Sequence, residues 1–392
     1  MENWVSFQTT MGGGRWAIFS IYALVIYYHI NVSGKDFLDM NVLTGEKRGL
    51  GLVEHRDYGG VPEEGMGLMR TVMVAHLIAP FFPKIVETNF GVTEKVFIDE
   101  LYKYYGYRPP IFKMSDEIKF EKQNKGEEVL QKIEYASAHS GGLDSAYRLA
   151  LMQEKKKPVV AVHLRNLNRK GNHEEFVASK KQCDEWKIPY ELVRLRNNSK
   201  NDGFDTMRTR DFLLAVVSAV TAYPYGVNKM FVEGDMVEDP AKSHFSENAG
   251  AWKMFNNLIA EANLKMEVEG IDVGDIETVG EVIRLEKSLG IDIIPLVQNC
   301  FSATYQLPNS RQKWVRETPE IAKNSSGHWC GSCLKCRRMT MGRLFYHDPR
   351  FRSVPKEEIE YFVKDTYSWL RKYRHNGDLV TASFLKHLEQ LR

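Results

Sequence analysis

Between Tyr135 and Ser145 the chain reads Tyr-Ala-Ser-Ala-His-Ser-Gly-Gly-Leu-Asp-Ser. No other stretch constrains the fold as strongly. It is a short strand running into a glycine turn, followed by a helix that opens at Asp144 or just before it. Such a junction leaves backbone N–H groups and a helix N-terminus where the strand ends, a natural site for an anion and above all for a phosphate. Gly141 and Gly142 permit a tight turn and close approach of backbone to ligand. Ser140 and Ser145 offer hydroxyls, and Asp144 is placed to cap the helix or to hold a magnesium ion.

Beyond the turn the same alternation of strand and helix continues. Strands are expected at Ile133–Ala138, Pro158–Leu164, Tyr190–Leu195 and Lys229–Glu233, with Ile291–Leu296 closing the sheet. Helices are expected at Leu143–Glu154, Glu174–Trp186, Asp211–Ala222, Ala251–Ala262 and Val279–Leu289. This order predicts an α/β fold with a doubly wound parallel sheet. Ligands of such sheets bind at the carboxyl ends of strands, near a switch in strand order. The glycine loop occupies that kind of position.

The flanks are patterned differently, so the 392-residue chain divides into 1–128, an N-terminal extension domain of unassigned role, 129–340, the α/β domain, and 341–392, a helical extension. In the first, Gly49, Gly51, Gly59, Gly60, Gly65 and Gly67 suggest loops and turns. Met69–Ile85 has helical spacing until Pro80 and Pro83 interrupt it, and Val96–Tyr105 reads as another helix. Glu121–Glu128 makes a polar linker. At the other end Lys356–Arg371 is amphipathic, with Tyr361, Phe362, Tyr367 and Trp369 as packing residues, and Leu379–Leu391 forms a last helix. The apolar run Trp16–Ile30 falls short of the roughly 20 residues a membrane helix needs. Glu2 and a triple glycine before it do not suit a signal peptide, so a buried helix or a pair of strands is expected and no membrane partner.

The formal charge of +2 gives no global field that would draw nucleic acid. Five cysteines occur, too unevenly placed for a secreted disulfide framework, which points to a reducing, cytoplasmic setting. Cys330, Cys333 and Cys336 form a Cys-x-x-Cys-x-x-Cys run with Cys300 upstream. Four thiolates close a tetrahedral zinc site, and two-residue spacings suit a knuckle. A redox Cys-x-x-Cys matches three evenly spaced cysteines less well, and an iron–sulfur cluster, which uses the same ligands, stays open. Cys183 reads as a small buried residue.

The loop is neither a Walker A sequence nor the Gly-x-Gly-x-x-Gly of a dinucleotide fold. A strand, Ser-Gly-Gly-x-Asp-Ser and a helix resemble the PP-loop of the ATP pyrophosphatases. That resemblance implies that Ser140, Gly141, Gly142, Leu143, Asp144 and Ser145 bind the phosphates of ATP with Mg²⁺. An acceptor would attack the α-phosphorus as pyrophosphate leaves, with helix-terminal N–H groups and the metal stabilising the departing charge. Together with the cysteines, residues 132–340 resemble 7-cyano-7-deazaguanine synthase. Arg210-Asp211 is similar to that family's Arg-Asn, Gly234–Asp239 to its Gly-x-Asn-x-x-Asp loop, Glu281–Gly290 to its Glu-Ile-Val-Arg-Leu helix, and Asn299-Cys300-Phe301 to its Ser-Cys-Tyr.

The resemblance implies a Rossmann-like PP-loop domain with a zinc knuckle on Cys300, Cys330, Cys333 and Cys336, and ATP, Mg²⁺ and Zn²⁺ as cofactors. It implies a C–N bond-forming ligase that adenylates a deazapurine carboxylate, with ammonia or a protein amine completing a nitrile, an amide or a conjugate. Asp144, Ser145 and Arg210 are its catalytic candidates; Arg210, Asp235 and Asp239 its substrate candidates. Val279 stands where the family has Lys, Asp211 where it has Asn, and Asp235 and Met236 where it has a small residue and Asn. The stretch between Cys300 and Cys330 is longer than usual. Extended relatives of this size occur in antiphage operons, where a deazaguanine is joined to a protein, and the N-terminal extension would then engage a partner. With Glu at position 2 there is no N-terminal cysteine nucleophile for a glutamine-dependent synthetase. A tRNA thiolase or lysidine synthetase is the alternative enzyme, with Cys183 as its available cysteine. A non-catalytic nucleotide-binding scaffold is the alternative of another class.

Overall fold

In a computed structural model of the chain, residues 4–8, 25–31, 39–44, 46–52, 60–80, 82–88, 92–114, 132–166, 170–197, 208–234, 244–270, 275–298, 333–351, 354–373 and 379–390 are described. Their strands are β1 (Trp4–Gln8), β2 (Val25–Asn31), β3 (Asp39–Thr44), β4 (Glu46–Leu52), β5 (Ile85–Thr88), β6 (Ile111–Met114), β7 (Tyr135–Ala138), β8 (Val159–Asn166), β9 (Tyr190–Asn197), β10 (Lys229–Phe231) and β11 (Glu267–Glu269). The helices are α1 (Glu63–Ile78), α2 (Lys95–Tyr104), α3 (Leu143–Glu154), α4 (Lys170–Trp186), α5 (Arg210–Ala222), α6 (Ala249–Glu261), α7 (Asp275–Leu289), α8 (Leu334–Phe345), α9 (Lys356–Tyr373) and α10 (Leu379–Gln390).

The strands form one sheet in the order β11-β10-β7-β8-β9-β4-β3-β2-β1-β5-β6. Counting from β7, its first half reads fifth, fourth, first, second, third in chain order, so the strands run outward from β7 in both directions, as a doubly wound sheet requires. The strand order switches at β7, from whose carboxyl end the glycine loop leaves. Around the switch β10 runs parallel to β7 and β11, in the register Lys229↔Tyr135 and Lys229↔Glu267. Beyond β9 the sheet is mixed, because β2–β3, β3–β4 and β4–β9 pair antiparallel. Part of the apolar run Trp16–Ile30 therefore lies in a strand, while 16–24 fall outside the described residues, as does Glu121–Glu128.

Three expectations are corrected. Ile291–Leu296 does not close the sheet; its last three residues are a single 3₁₀ turn, and β11 takes the edge. Pro295 has no N–H for a ladder, and the N–H groups of Ile293 and Ile294 both donate to Glu286 Oε1 at 2.8 Å. Gly49 and Gly51 sit in β4, where the ladder to Asn41 and Asp39 of β3 holds them extended. Gly65 and Gly67 lie inside α1 rather than in loops. A Cβ on Gly65 would come 2.7 Å from Leu264 Cδ2, and one on Gly67 2.7 Å from Thr93 Oγ1, so close packing offsets the roughly 1 kcal/mol that glycine costs a helix.

The contacts divide into two compact units, Met1–Ala138 with Val162–Asn168 and Glu191–Gly270, and His139–Ala161 with Arg169–Tyr190 and Ile271–Arg392. This partition differs from 1–128, 129–340 and 341–392, which remain divisions of sequence pattern. In the first unit α1 is buried almost all round, as a helix without a polar face must be, and it packs on the equally apolar α5. Phe212 of α5 centres an aromatic cluster, with ring centroids 5.2 Å from Phe97, 4.4 Å from Trp252 and 4.9 Å from Phe255. Such pairs add about 0.5–1.5 kcal/mol each beyond area burial. Phe97 belongs to α2, so part of the N-terminal stretch shares its core with α5 and α6.

In the second unit α7 packs on both α3 and α8. Arg284 of α7 donates to both carboxylate oxygens of Glu154 at the end of α3, at 2.7 and 3.0 Å. In α9 the burial falls on Phe362, Val363 and Leu370. Tyr361 is exposed, and Trp369 is stacked under the Arg337 guanidinium at 5.1 Å. Among the described residues no helix is long and apolar enough to cross a membrane.

Candidate active site

The loop owes its shape to Gly141. Its φ is +81°, a conformation that costs an L residue about 1–2 kcal/mol. A Cβ there would also lie 2.7 Å from both the Glu175 carbonyl oxygen and the Ser179 amide nitrogen of α4. The Gly141 carbonyl accepts from the Gln298 N–H at 2.9 Å and from Gln182 Nε2 at 3.1 Å. Gln182 also donates to the Leu296 carbonyl at 3.0 Å, which joins the loop to the 3₁₀ turn. That turn is capped by Glu286, whose Oε2 receives Arg350 Nη2 at 2.6 Å. Arg350 and Arg343 in turn hold the buried Asp348 carboxylate. A continuous polar chain thus runs from α8 through α7 to the glycine turn.

Within the loop the Gly142 N–H donates to Ser140 Oγ at 3.1 Å, and the Ser145 hydroxyl donates to the Gly142 carbonyl at 3.3 Å. The two serine hydroxyls are 3.4 Å apart. Gly142 is the N-cap of α3 and supplies no side-chain cap, so the first turn presents backbone N–H groups of the kind that receive anions. Leu143 is buried and offers its backbone alone. Ser140, Gly141, Gly142, Leu143, Asp144 and Ser145 thus share one strand–turn–helix junction.

Asp144 has a partner that sequence reasoning did not name. Arg338 of α8 grips both carboxylate oxygens, Nη1 to Oδ2 at 3.0 Å and Nη2 to Oδ1 at 2.5 Å. The Arg338 side chain is 7% exposed and that of Asp144 26%. Burial pushes the Asp144 carboxyl up, but Arg338, by charge and hydrogen bonds, together with Lys335 holds it below the usual carboxylate range. Arg337, one residue earlier, is fixed elsewhere, donating to Thr366 Oγ1 at 2.9 Å and pairing with Asp365 at 2.8 Å. The available signal was the Arg-Arg pair directly after Cys336; its partners are nearly 200 and about 30 residues away.

Hard oxygen donors on Asp144, Ser140 and Ser145 fit a magnesium ion, and a cation already occupies both oxygens of Asp144. For the cysteines, Cys333 is the N-cap of α8 and Cys336 is buried one turn inside it. Two thiols at this i, i+3 spacing suit a soft metal. Cys300 and Cys330 lie outside the described residues, and no complete cluster of metal-ligating side chains occurs among those described.

Arg210 belongs to the first compact unit and opens α5, its Nε donating to Asp211 Oδ1 at 2.8 Å. The side chain is 46% exposed; what desolvation it has opposes the charge, and Asp211, Glu233 and Glu247 raise its pKa. The carboxylate at 211, where the resembling family has Asn, thus holds the guanidinium. Asp235 and Asp239 lie outside the described residues. Val279 is buried against α8: a Cβ on Gly342 would be 2.4 Å from its own Cβ. Cys183 is buried, and burial pushes its thiol up to about 12.

No family model matches the chain, and no curated protein does. Among solved structures the chain is similar to the U34-tRNA thiolase NcsA from Methanococcus maripaludis with its 4Fe–4S cluster, at 14% identity and a TM-score of 0.28 over 65% of this chain and 81% of that one. A likeness of that size carries no argument about this site.

Proposed function

We propose that this chain is an ATP-dependent, C–N bond-forming ligase of the PP-loop kind, which adenylates a deazapurine carboxylate such as 7-carboxy-7-deazaguanine. A carboxylate oxygen attacks the α-phosphorus of ATP, the α–β P–O bond breaks and pyrophosphate leaves. An amine nitrogen then attacks the acyl carbon, loses its proton and expels AMP, giving an amide. Ammonia would lead to the amide, and to a nitrile after a second activation. A protein amine would lead to a conjugate, the outcome that fits the extended relatives in antiphage operons, with residues 1–128 engaging the partner.

The observation that carries this reading is the loop itself. A Ser-Gly-Gly-Leu-Asp-Ser sequence leaves the strand-order switch with Gly141 in a left-handed conformation and α3 opening on a glycine cap. Backbone donors there would receive the pyrophosphate oxygens as charge builds on them. Ser140, Asp144 and Ser145 would hold Mg²⁺, which when bound supplies charge neutralisation for the leaving group. Arg210 is proposed to meet a phosphate or the substrate carboxylate, and Asp235 and Asp239, which come shortly after β10 in the sequence, to hold a metal ion or another part of the substrate. The high thiol pKa of Cys183 weighs against a thiolase built on that residue.

With Mg·ATP and 7-carboxy-7-deazaguanine, purified protein should release pyrophosphate and AMP in equal amounts. Mass spectrometry with ammonium or with co-expressed neighbouring proteins then identifies the acceptor. Absence of pyrophosphate with that acid and every amine would remove the substrate class, and turnover requiring tRNA would hand the site to the tRNA-modifying alternative. Cys333, Cys336, Cys300 and Cys330 are proposed to hold structural zinc. About one zinc per chain, lost in Cys333→Ser, is the expected metal analysis; iron with visible absorbance would instead assign a cluster.

A further inference from the structure

The fork between Arg338 and Asp144 has a property that a structural ion pair does not need. It occupies, with a cation, the very carboxylate that the proposed ATP site assigns to a magnesium ion, and this inference rests on that reading. Each oxygen of Asp144 accepts one N–H of Arg338, so a metal ion held by this carboxylate would compete with the fork for the lone pairs it uses. A divalent cation arriving with the triphosphate brings twice the charge to the same oxygens. Once displaced, the guanidinium is left, poorly solvated, beside a loop receiving a polyanion, and planar bidentate recognition of phosphate is what that group does best. Its backbone stays put meanwhile, because Arg337 is anchored on Thr366, Asp365 and the Trp369 ring.

We infer that Arg338 is an exchangeable ligand. Asp144 holds it while the loop is empty, and it transfers to the triphosphate when magnesium takes the carboxylate. Arg338 thereby neutralises Asp144 in the resting protein, which would otherwise place an unpaired negative charge in a phosphate site, and it supplies a phosphate contact in the loaded one. In this role it is a nucleotide-binding residue on the cysteine-bearing helix, outside the loop motif.

The test uses binding alone, on the full chain, with the nonhydrolysable α,β-methylene analogue of ATP in calorimetry and Mn²⁺ followed by electron paramagnetic resonance. Arg338→Gln should weaken the Mg²⁺ complex of the analogue by about ten- to a hundredfold, the scale of a lost charged hydrogen bond. The same variant, without nucleotide, should bind Mn²⁺ on the order of tenfold more tightly than the parent, because its Asp144 carboxylate is no longer occupied. Arg338→Lys, which keeps the charge and loses the fork, should fall between the two in both measurements and serves if the glutamine variant does not fold. Unchanged analogue affinity in either variant, or no gain in Mn²⁺ binding, overturns the exchange. If the parent chain itself fails to bind the analogue with Mg²⁺, the ATP reading falls first and the inference with it. That result requires no variant and is distinct from the others.

Discussion

Gly141→Ala is expected to destabilise the chain by about 2–5 kcal/mol and to abolish binding of an ATP analogue. Two penalties add. The left-handed conformation at φ +81° costs a residue with a Cβ about 1–2 kcal/mol. Overpacking costs about 1–3 kcal/mol more, because the new methyl would sit 2.7 Å from two backbone atoms of α4, Glu175 O and Ser179 N. Backbone atoms within a helix cannot rotate aside, so either α4 or the loop must move. Movement of the loop breaks the bonds from Gln182 and Gln298 to the Gly141 carbonyl. Gly290→Ala is the matched control in the same compact unit: its φ is +65° with nothing within 4 Å of a new Cβ. Urea denaturation of both variants separates the terms. Equal losses in the two would mean that the close approach to α4 contributes nothing and that the loop tolerates a side chain.

Removing the Asp144 carboxylate should be as costly, by a different route. Asp144→Ala leaves the buried Arg338 guanidinium without its bidentate partner, and breaking a buried pair from one side costs about 3–5 kcal/mol. Pyrophosphate release should disappear with it. The double variant Asp144→Ala with Arg338→Met removes both charges and keeps most of the stem volume, so it should regain most of the lost stability. It should regain none of the activity. Thermal melts and pyrophosphate release, measured side by side, therefore part company in the double variant. Activity returning along with stability would mean that Asp144 serves only to hold α8 against α3, and that magnesium is held elsewhere.

The range of each interaction sets how much of the fold and of the candidate site is legible in the sequence. The strand–turn–helix around Gly141 could be read directly, since a glycine pair between a strand pattern and a 3.6-residue period is a local signal. The helices Leu143–Glu154 and Asp211–Ala222 match α3 and α5 within a residue for the same reason. The apolar stretch ending at Leu296 misled, because its β-like composition hides that Glu286 takes the N–H groups of Ile293 and Ile294. Gly65 and Gly67 misled in the opposite direction: a glycine signals a turn locally, whereas here Leu264 and Thr93 crowd α1. Tyr361 belongs by type to the aromatic residues expected to pack, but its position on α9 faces outward, one residue away from the buried Phe362.

The amino-acid sequence alone determined the α/β alternation, the position of the glycine loop within it and the set of residues, Ser140 to Ser145, that the loop presents. Each depends on near neighbours, where backbone sterics and periodicity act. Only the tertiary structure decided what surrounds that loop. It brought α4 to within contact of Gly141, placed Gln182 and Gln298 on its carbonyl, and set Arg338 on Asp144 across 194 residues. Val279 too became a packing residue against Gly342 through the crossing of α7 and α8. A side chain's partner depends on which elements the burial of apolar surface brings together, and pairing at that distance has no local pattern to betray it.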